Sequence, residues 1–372
     1  MINFHSIFAT INDEISKNQL PFFDLSQIDI EEIKAYSNEI RSNFQTLLVV
    51  GTGASVINAR AIISCIAEPT FDVRFLDNLD PITINRTIQS LSNRTTAILV
   101  ISKSGNTHET IALLNHLADS LITTNNLYII TEEKESELTS LGQKYNANFI
   151  AHPKDIGGRF AMFTAVGLLP ASIAGVDLLK FIKFAKDYLQ SLSLEELALK
   201  EFVEWILNNV ENNKNCFILM HYGDQLVGLF EWVRQIYAES LGKNAFGFTP
   251  VISRGTIDQH SQLQLYLDGP DDKFYTLVAL DNSTQHSSNS ANLNSLFLMH
   301  AESTYQALQE CKRPVKYNKV ENTYAYVAAN IIQTMLAVII IGRLKSINPF
   351  DQPAVEIGKK YIRLMEKEPN TN

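Results

Sequence analysis

Short apolar runs, each followed by a helical stretch, dominate the first half of the chain. Such runs extend from Thr46 to Val50, Val73 to Leu76, Thr96 to Ile101 and Leu127 to Thr131. Strands that alternate with helices favour parallel pairing, because a parallel strand needs a crossover long enough to hold a helix. The pattern therefore predicts an α/β fold built on a parallel sheet with right-handed crossovers.

The alternation resumes after residue 200. Cys216 to His221 and Lys273 to Leu280 are predicted strands, and Gln225 to Leu241 is the helix between them. A chain of 372 residues is too long for one ordinary core. We therefore predict an N-terminal helical segment (1–45), a first α/β domain with its connecting helices (46–200), a second α/β domain (201–345) and a C-terminal loop and helix (346–372). The Ser/Asn-rich residues 281–294 are predicted to form an exposed loop.

Residues 323–342 form the stretch that comes closest to a membrane span. Asn330, Gln333 and Thr334 interrupt its apolar run, and hydrocarbon penalises such groups, so we predict a buried core helix. Three scattered cysteines and an N-terminus without a signal-peptide pattern indicate a cytoplasmic protein. The formal charge of −9 argues against non-specific nucleic-acid binding. It leaves an anionic small substrate open, because a pocket's local field can oppose the net charge.

The segment SKSGNTHET follows one predicted strand and opens a helix. Its hydroxyls and free backbone N–H groups would suit a phosphate at a helix N-terminus, and Lys103 adds a positive charge. An ordinary capped helix with Thr107 as N-cap is the alternative. The polar residues that cluster around Lys103 exceed what a cap needs, and this favours the phosphate site.

The segment GTGAS is a second turn between a strand and a helix, with Ser55 at the start of the helix. It permits close approach of the backbone to a ligand. A dinucleotide site is the rival interpretation, because GTGASV resembles the front half of GxGxxG and Asp77 ends the next strand. Val56 stands where the third glycine would be, and this weakens that interpretation.

Two charged residues are placed unusually. Arg159 follows two glycines at the start of an apolar helix, where a cation opposes the helix dipole, so a carboxylate or a ligand is expected to compensate it. Glu239 falls with Leu229, Trp232 and Ile236 on a helix stripe about 80° wide. The carboxylate is therefore expected to face the apolar side, where burial would make it a better base. Release to solvent at the helix end is the alternative.

His260, in GTIDQHSQLQLYLDGPDDK, is the only histidine that stands between a glycine turn and an acidic neighbour. A histidine beside a misplaced glutamate is what proton transfer needs, although a lone histidine is more often structural. Lys359 follows the loop NPFDQP on the last predicted helix. A lysine in that position most often faces the solvent. Because Lys360 lies beside it, the assignment of a functional lysine stays ambiguous.

Several separated segments resemble the bacterial glucose-6-phosphate isomerase family. They are GTGAS, SKSGNTHET, GGRFAMFTAVGLLP, AESLGK, DQHSQLQLYLDGPDDK and NPFDQPAVEIGK, in the family's order. The resemblance implies two sugar-isomerase domains of flavodoxin-like, three-layer α/β/α type with additional helices. It also implies interconversion of glucose 6-phosphate and fructose 6-phosphate in the cytoplasm without a metal or cofactor.

The resemblance also implies a role for each matching residue. Glu239 matches the base that moves a proton between C2 and C1, and Arg159 the arginine that stabilises the enediol(ate). His260 and Lys359 match the residues that assist ring opening. The substrate phosphate is expected to contact Ser55, Ser102, Lys103, Ser104, Thr107 and Gln352. A homodimer is implied, in which His260 is contributed across the interface.

Some positions depart from the family's pattern. The first 45 residues are a compressed version of the usual N-terminal part, and GTGAS replaces two adjacent glycines. At Gly105 and Asn106 the chain resembles the short archaeal isomerases that accept both glucose and mannose 6-phosphates. A dual phosphoglucose/phosphomannose isomerase is therefore one alternative. A sugar-phosphate sensor that binds without catalysis is another, although binding alone would not require Glu239, His260, Arg159 and Lys359 together.

Overall fold

The computed structural model describes residues 3–66, 68–281, 288–321 and 323–365 and contains two parallel sheets. The strands of the first are β1 (Thr46–Val50), β2 (Asp72–Leu76), β3 (Thr96–Ile101), β4 (Leu127–Thr131) and β5 (Asn148–Ala151). Those of the second are β6 (Cys216–Tyr222), β7 (Thr249–Gly255), β8 (Lys273–Leu280) and β9 (Val315–Val320). Their orders are β2-β1-β3-β4-β5 and β7-β6-β8-β9, and every adjacent pair is parallel. The predicted parallel α/β architecture is confirmed.

Helices cover the faces of both sheets. In chain order they are α1 (Phe4–Ser16), α2 (Ile30–Asn43), α3 (Ala54–Ile63), α4 (Pro81–Leu91), α5 (His108–Ala118), α6 (Glu137–Lys144), α7 (Ala165–Ala174), α8 (Leu178–Gln190), α9 (Leu192–Glu211), α10 (Val227–Leu241), α11 (Leu263–Asp268), α12 (Ser288–Glu310), α13 (Thr323–Leu344) and α14 (Glu356–Met365). The buried strands β1, β3 and β4 read as continuous apolar runs because helices cover them on both sides.

The apolar helix α13 lies in the middle of the molecule. It packs against α1, α8, α9 and α10, and 72% of its most apolar window is buried. Among the described residues it is the one helix long and apolar enough to cross a membrane, and its burial is that of a core helix, as predicted.

Two predicted boundaries differ from the structure. Part of the predicted loop 281–294 is helical, since α12 begins at Ser288, and residues 282–287 lie outside the described residues. The boundary between residues 200 and 201 falls inside α9, and one hydrophobic core reaches elements of both halves. The two α/β units therefore share a helix and a core, and we propose the two sheets themselves as the basis of the two domains.

The strand order creates a crevice in the first sheet. From β1 the chain moves outward to β2 and then returns to the other side of β1 as β3. The loops that leave β1 and β3 therefore diverge above the carboxyl edge of the sheet, and ligands of open α/β sheets bind at such a point. GTGAS leaves β1 and SKSGNTHET leaves β3, so the topology brings the two predicted loops together.

Two buried histidines are expected to make the stability of the fold depend on pH. Burial, the largest cause, lowers the pKa of both His152 and His221 below 6.5. Below pH 6.5 the unfolded chain then binds more protons than the folded one, so the free energy of unfolding falls as the pH drops. We expect urea midpoints to fall between pH 7.5 and 5.5, and to fall less in His221→Asn, which keeps a donor for the Gly223 carbonyl. His116→Asn, at an exposed histidine, is the matched control.

Candidate active site

A cavity of about 460 Å³ opens at the carboxyl edge of the first sheet, beside the loops that follow β1 and β3. Seven of the ten predicted site residues line it: Ser55, Lys103, Ser104, Thr107, Arg159, Glu239 and Gln352. They come from five separate parts of the chain: the two loops, the 3₁₀ turn Gly158–Phe163, helix α10 and the segment before α14. The fold therefore assembles most of the predicted site in one place.

Arg159 and Glu239 form an ion pair on the cavity wall. The Arg159 Nη1 donates to Glu239 Oε2 at 2.5 Å, and Nη2 donates to the carbonyls of Pro349 and Asp351 at 3.3 and 3.2 Å. The guanidinium is 5% exposed, and the Trp232 indole donates to the Arg159 carbonyl at 3.0 Å. The predicted compensating negative charge is thus the carboxylate of Glu239.

The environment of Glu239 differs from the expected apolar one. Leu229, Trp232 and Ile236 are fully buried, but the Glu239 side chain is 36% exposed, because it lies near the end of α10 and points into the cavity. Gln235, one turn earlier, donates to Glu239 Oε1 at 3.0 Å. Each carboxylate oxygen therefore accepts one hydrogen bond, and the group is positioned by partners rather than by desolvation.

The loop after β3 has the geometry of an anion site. Thr107 stands at the N-cap of α5, yet its side chain caps no backbone N–H and instead bonds the Ser102 hydroxyl at 2.9 Å. The Thr107 hydroxyl therefore does not act as the ordinary cap of α5, and this favours an anion at the helix start. Gly105 has φ +68°, and a Cβ there would lie 2.1 Å from Ser136 Oγ, so glycine alone fits this loop.

The side chains that line the cavity carry more positive than negative charge. Lys103, Lys134 and Arg159 line it with Glu132 and Glu239, which gives three positive and two negative groups and a net local charge of +1. Lys134 and, at 3.5 Å, Lys103 pair with Glu132. Burial alone would raise the pKa of Glu132, but these lysines outweigh it and lower that pKa. The cavity thus opposes the net charge of −9 on the chain.

The loop after β1 supplies backbone and Ser55 to the same cavity. Gly53 has φ +55° and starts α3, and Thr52, Ala54 and Ser55 line the wall. Asp77, which would hold a ribose in a dinucleotide site, is ion-paired with Arg60 at 2.8 Å and does not line the cavity. The close-approach interpretation of GTGAS is the one that fits this geometry.

Three predicted residues do not line the cavity. Ser102 is 2% exposed and supports Thr107 and the Gly105 amide from behind. His260 lies in an exposed 3₁₀ turn after β7, at the carboxyl edge of the second sheet. Lys359 is exposed on α14 and pairs with Glu356 at 2.7 Å. Within one chain, the two residues expected to open the sugar ring lie apart from the Arg159–Glu239 pair.

Two supporting residues escaped the sequence analysis. Gln235 precedes Glu239 by four residues, and this spacing places both side chains on one helix face. Lys243 donates to the carbonyls of Asn348 and Asp351 and to the Asp351 carboxylate at 2.7 Å, and this contact lowers the pKa of Asp351. Lys243 thereby anchors the segment that carries Gln352, a long-range contact that no local pattern signals.

The fold and the cavity together define a class of protein. Two loops diverge from a parallel sheet, one of them leads into a helix start suited to an anion, and an ion-paired glutamate lies in the same cavity. Such a site holds a phosphorylated small molecule beside a group that can accept a proton. The described residues contain no group of three or more His, Cys, Asp or Glu side chains that could hold a metal ion. The absence of a cofactor stays a prediction.

Comparison with known proteins defines the family. Residues 30–301 match the family model described as phosphoglucose isomerase. A probable glucose-6-phosphate isomerase of Methanococcus maripaludis is 31% identical over 95% of this chain and 86% of that protein. The chain belongs to the phosphoglucose isomerase family, as its motifs predicted.

Solved structures agree with this assignment of the fold. A hypothetical protein from Thermus thermophilus superposes with a TM-score of 0.85 at 26% identity, over 97% of this chain and 95% of that one. A glucose-6-phosphate isomerase from Chlamydia trachomatis superposes with a TM-score of 0.70 at 18% identity, over 91% of this chain and 73% of that one. The fold is therefore that of a two-sheet sugar-phosphate isomerase.

Proposed function

We propose that the protein interconverts D-glucose 6-phosphate and D-fructose 6-phosphate, as a cytoplasmic enzyme of glycolysis and gluconeogenesis. The observation that carries the proposal is a single cavity that combines the Arg159–Glu239 pair with the helix start and lysine of the loop after β3. A phosphate held at that loop would place a sugar chain across the cavity, toward the carboxylate. Membership of the phosphoglucose isomerase family supports this assignment.

The proposed chemistry needs only proton transfers once the ring is open. Glu239 takes the proton from C2 of the open-chain aldose and returns it to C1, while the hydroxyl proton on O2 moves to O1. The negative charge that develops on the enediolate oxygens is stabilised by the nearby Arg159 guanidinium. Glu239 is held by Arg159 and Gln235 at 2.5 and 3.0 Å, so its carboxylate is oriented before the substrate binds.

A coupled assay tests the proposal directly. Purified protein is given fructose 6-phosphate, and the glucose 6-phosphate formed is measured with a dehydrogenase and NADP⁺. We expect saturable formation of glucose 6-phosphate without added metal in the isomerisation step. Binding of fructose 6-phosphate without turnover would contradict the proposal and would leave the sugar-phosphate sensor as the function.

The loop after β3 should control substrate affinity rather than the chemical step. The double variant Ser104→Ala with Thr107→Ala removes two hydroxyls from the cavity wall. We expect KM to rise roughly ten- to a hundredfold with little change in kcat, because lost phosphate contacts weaken ground state and transition state alike. Ser120→Ala, which removes an exposed hydroxyl just beyond α5, is the matched control. An unchanged KM in the double variant would make these hydroxyls structural.

We propose a homodimer in which His260 of one subunit completes the cavity of the other. Within one chain His260 is exposed and lies outside the cavity. Large apolar side chains are exposed on the His260 turn, on α11 and on α12, whose His300 carbonyl accepts a bond from Gln259 of the turn: Ile257 is 55%, Leu265 44%, Leu296 48% and Met299 60% exposed. A cluster of exposed apolar side chains beside a candidate catalytic histidine fits a subunit interface better than free surface.

A mixed dimer distinguishes a His260 that acts in the partner's cavity from one that acts in the cavity of its own chain. Glu239→Gln and His260→Ala chains carry different tags, are coexpressed, and both homodimers are expected to be nearly inactive. If His260 acts across the interface, each mixed dimer regains one intact site, so random pairing should restore about a quarter of the wild-type activity per subunit. The purified mixed dimer should show about half. Inactive mixed dimers would show that His260 serves the cavity of its own chain, and an active His260→Ala homodimer would show that His260 does not contribute.

A further inference from the structure

A second cavity of about 450 Å³ lies on the opposite side of α10, between α9, α13 and the second sheet. Tyr237 lines this second cavity, whereas Glu239, two residues later on the same helix, lines the active-site cavity. Two residues span roughly 200° on a helix, so the two side chains point to opposite sides of α10. The second cavity is therefore separate from the site described above.

Polar groups line the second cavity, and one of them has no hydrogen-bond partner among the described residues. The phenolic oxygen of Tyr237 is buried and makes no hydrogen bond, although buried polar groups are nearly always satisfied. Tyr326, Asn330, Gln333 and Thr334 of α13 also line it, on a helix stripe about 100° wide. Three of them, Asn330, Gln333 and Thr334, are the polar residues that interrupt the apolar run of α13, and they line this cavity.

Other side chains that line the second cavity are apolar and partly aromatic. Phe217 and Leu219 of β6 line it with Phe230 and Val233 of α10, and all four are buried. A cavity of this size, with an apolar wall and a few convergent polar groups, has the properties of a small-molecule site. The aromatic rings favour a flat ligand, and the Tyr237 hydroxyl favours a hydrogen-bonding group on it.

The charges at the second cavity restrict the ligand further. Lys316 lines it, and its ammonium lies 5.5 Å from the centroid of the Trp205 ring. Across the part of the chain that the structure describes, Lys316 forms no ion pair, so a ligand carboxylate would be its first charged partner. Glu201 also lines the cavity and is exposed, and it would repel a second negative charge. The charges therefore suit a monoanion better than a sugar phosphate.

We propose that the second cavity binds a small aromatic monocarboxylate. Its ring would lie against Phe217 and Phe230, its polar substituent would bond the Tyr237 hydroxyl, and its carboxylate would pair with Lys316. The probe is 4-hydroxyphenylacetate, titrated calorimetrically into the full-length protein. We expect one saturable site per chain, unaffected by excess fructose 6-phosphate. The corresponding amine, 4-hydroxyphenylethylamine, should not bind, because it would bring a cation to Lys316.

Two variants assign the binding to this cavity. Lys316→Met keeps the aliphatic stem and should raise Kd roughly tenfold or more, as expected for loss of a charge-assisted bond. Tyr237→Phe should raise Kd about fivefold. Lys312→Met, an exposed lysine outside the cavity, is the control and should bind normally. Absence of saturable binding, displacement by fructose 6-phosphate, or normal affinity in Lys316→Met would each overturn the proposal.

A stability measurement tests the unpartnered hydroxyl without any ligand. Tyr237→Phe removes no hydrogen bond, so its melting temperature should equal or exceed that of the wild type. The matched control is Tyr222→Phe, which loses a buried bond of 2.8 Å to Thr304 and should melt at a lower temperature. Equal destabilisation of both variants would show that the Tyr237 hydroxyl has a protein partner, and this would also overturn the proposal.

Discussion

Replacement of Glu239 by glutamine should lower kcat by about 10²–10⁴-fold, as for loss of a positioned general base. Glutamine has nearly the same shape, and its amide oxygen can still accept from Arg159, which donates to the carboxylate at 2.5 Å. Its amide NH2 can donate to Gln235 once the Gln235 amide, which now donates at 3.0 Å, reverses. The cavity should therefore keep its form while losing the group that takes the proton. KM should change little, because the phosphate loop is untouched.

The matched control for this variant is Glu231→Gln on the same helix. Glu231 is partly buried and lies 3.7 Å from Arg60, but it is outside the active-site cavity. Its replacement should leave kcat within about twofold, since surface ion pairs contribute little. The measurement is steady-state kinetics in both directions of the reaction, with melting temperatures as a check of folding. Near-normal turnover in Glu239→Gln would remove Glu239 from the role of the base.

The interior of the first sheet could be predicted from sequence, whereas several sheet edges could not. The strands β1, β3 and β4 were predicted with their correct bounds, since both faces are covered by helices and the apolar runs are continuous. The missed strands β5, β7 and β9 are all edge strands. Edge strands carry polar residues or proline, as in VKYNKV of β9 and Pro250 of β7, and no apolar run marks them.

In the site, too, the features that depend on local sequence could be predicted, and those that depend on long-range contacts could not. Strand, glycine and hydroxyl patterns located both loops of the first sheet, because each loop is a local feature. The need of Arg159 for a negative partner was also predictable, but the identity of the partner was not. Arg159 and Glu239 are 80 residues apart in sequence. Only the packing of α10 against the first half of the molecule brings the carboxylate to the guanidinium.

The roles of His260 and Lys359 rest on resemblance alone. Neither residue has a local pattern that separates a catalytic side chain from an exposed one, and the structure of one chain leaves both outside the cavity. Physical reasoning on a single chain cannot supply a partner that a second chain would bring. The mixed-dimer experiment therefore tests a part of the site that neither periodicity nor the fold of one chain could provide.

Replacement of Arg159 should also have a large effect, because its guanidinium has three partners. It binds Glu239, the Pro349 carbonyl and the Asp351 carbonyl, and it is 5% exposed. Lysine keeps the charge but lacks the planar fork that can serve all three acceptors at once. We expect Arg159→Lys to lower kcat about 10²–10³-fold, comparable with the loss of a donor that stabilises an oxyanion.

A second variant distinguishes a chemical role of Arg159 from a purely structural one. Arg159→Ala should be less active still, and added guanidinium ion should restore part of its kcat if the missing cation itself stabilises the enediolate. Arg60→Lys is the control, since Arg60 pairs with Asp77 outside the cavity and its replacement should leave kcat nearly unchanged. If guanidinium restores the melting temperature of Arg159→Ala but not its turnover, Arg159 serves to hold Glu239 and the segment at residues 349–351 in place, and the cation that stabilises the enediolate must be another residue of the cavity.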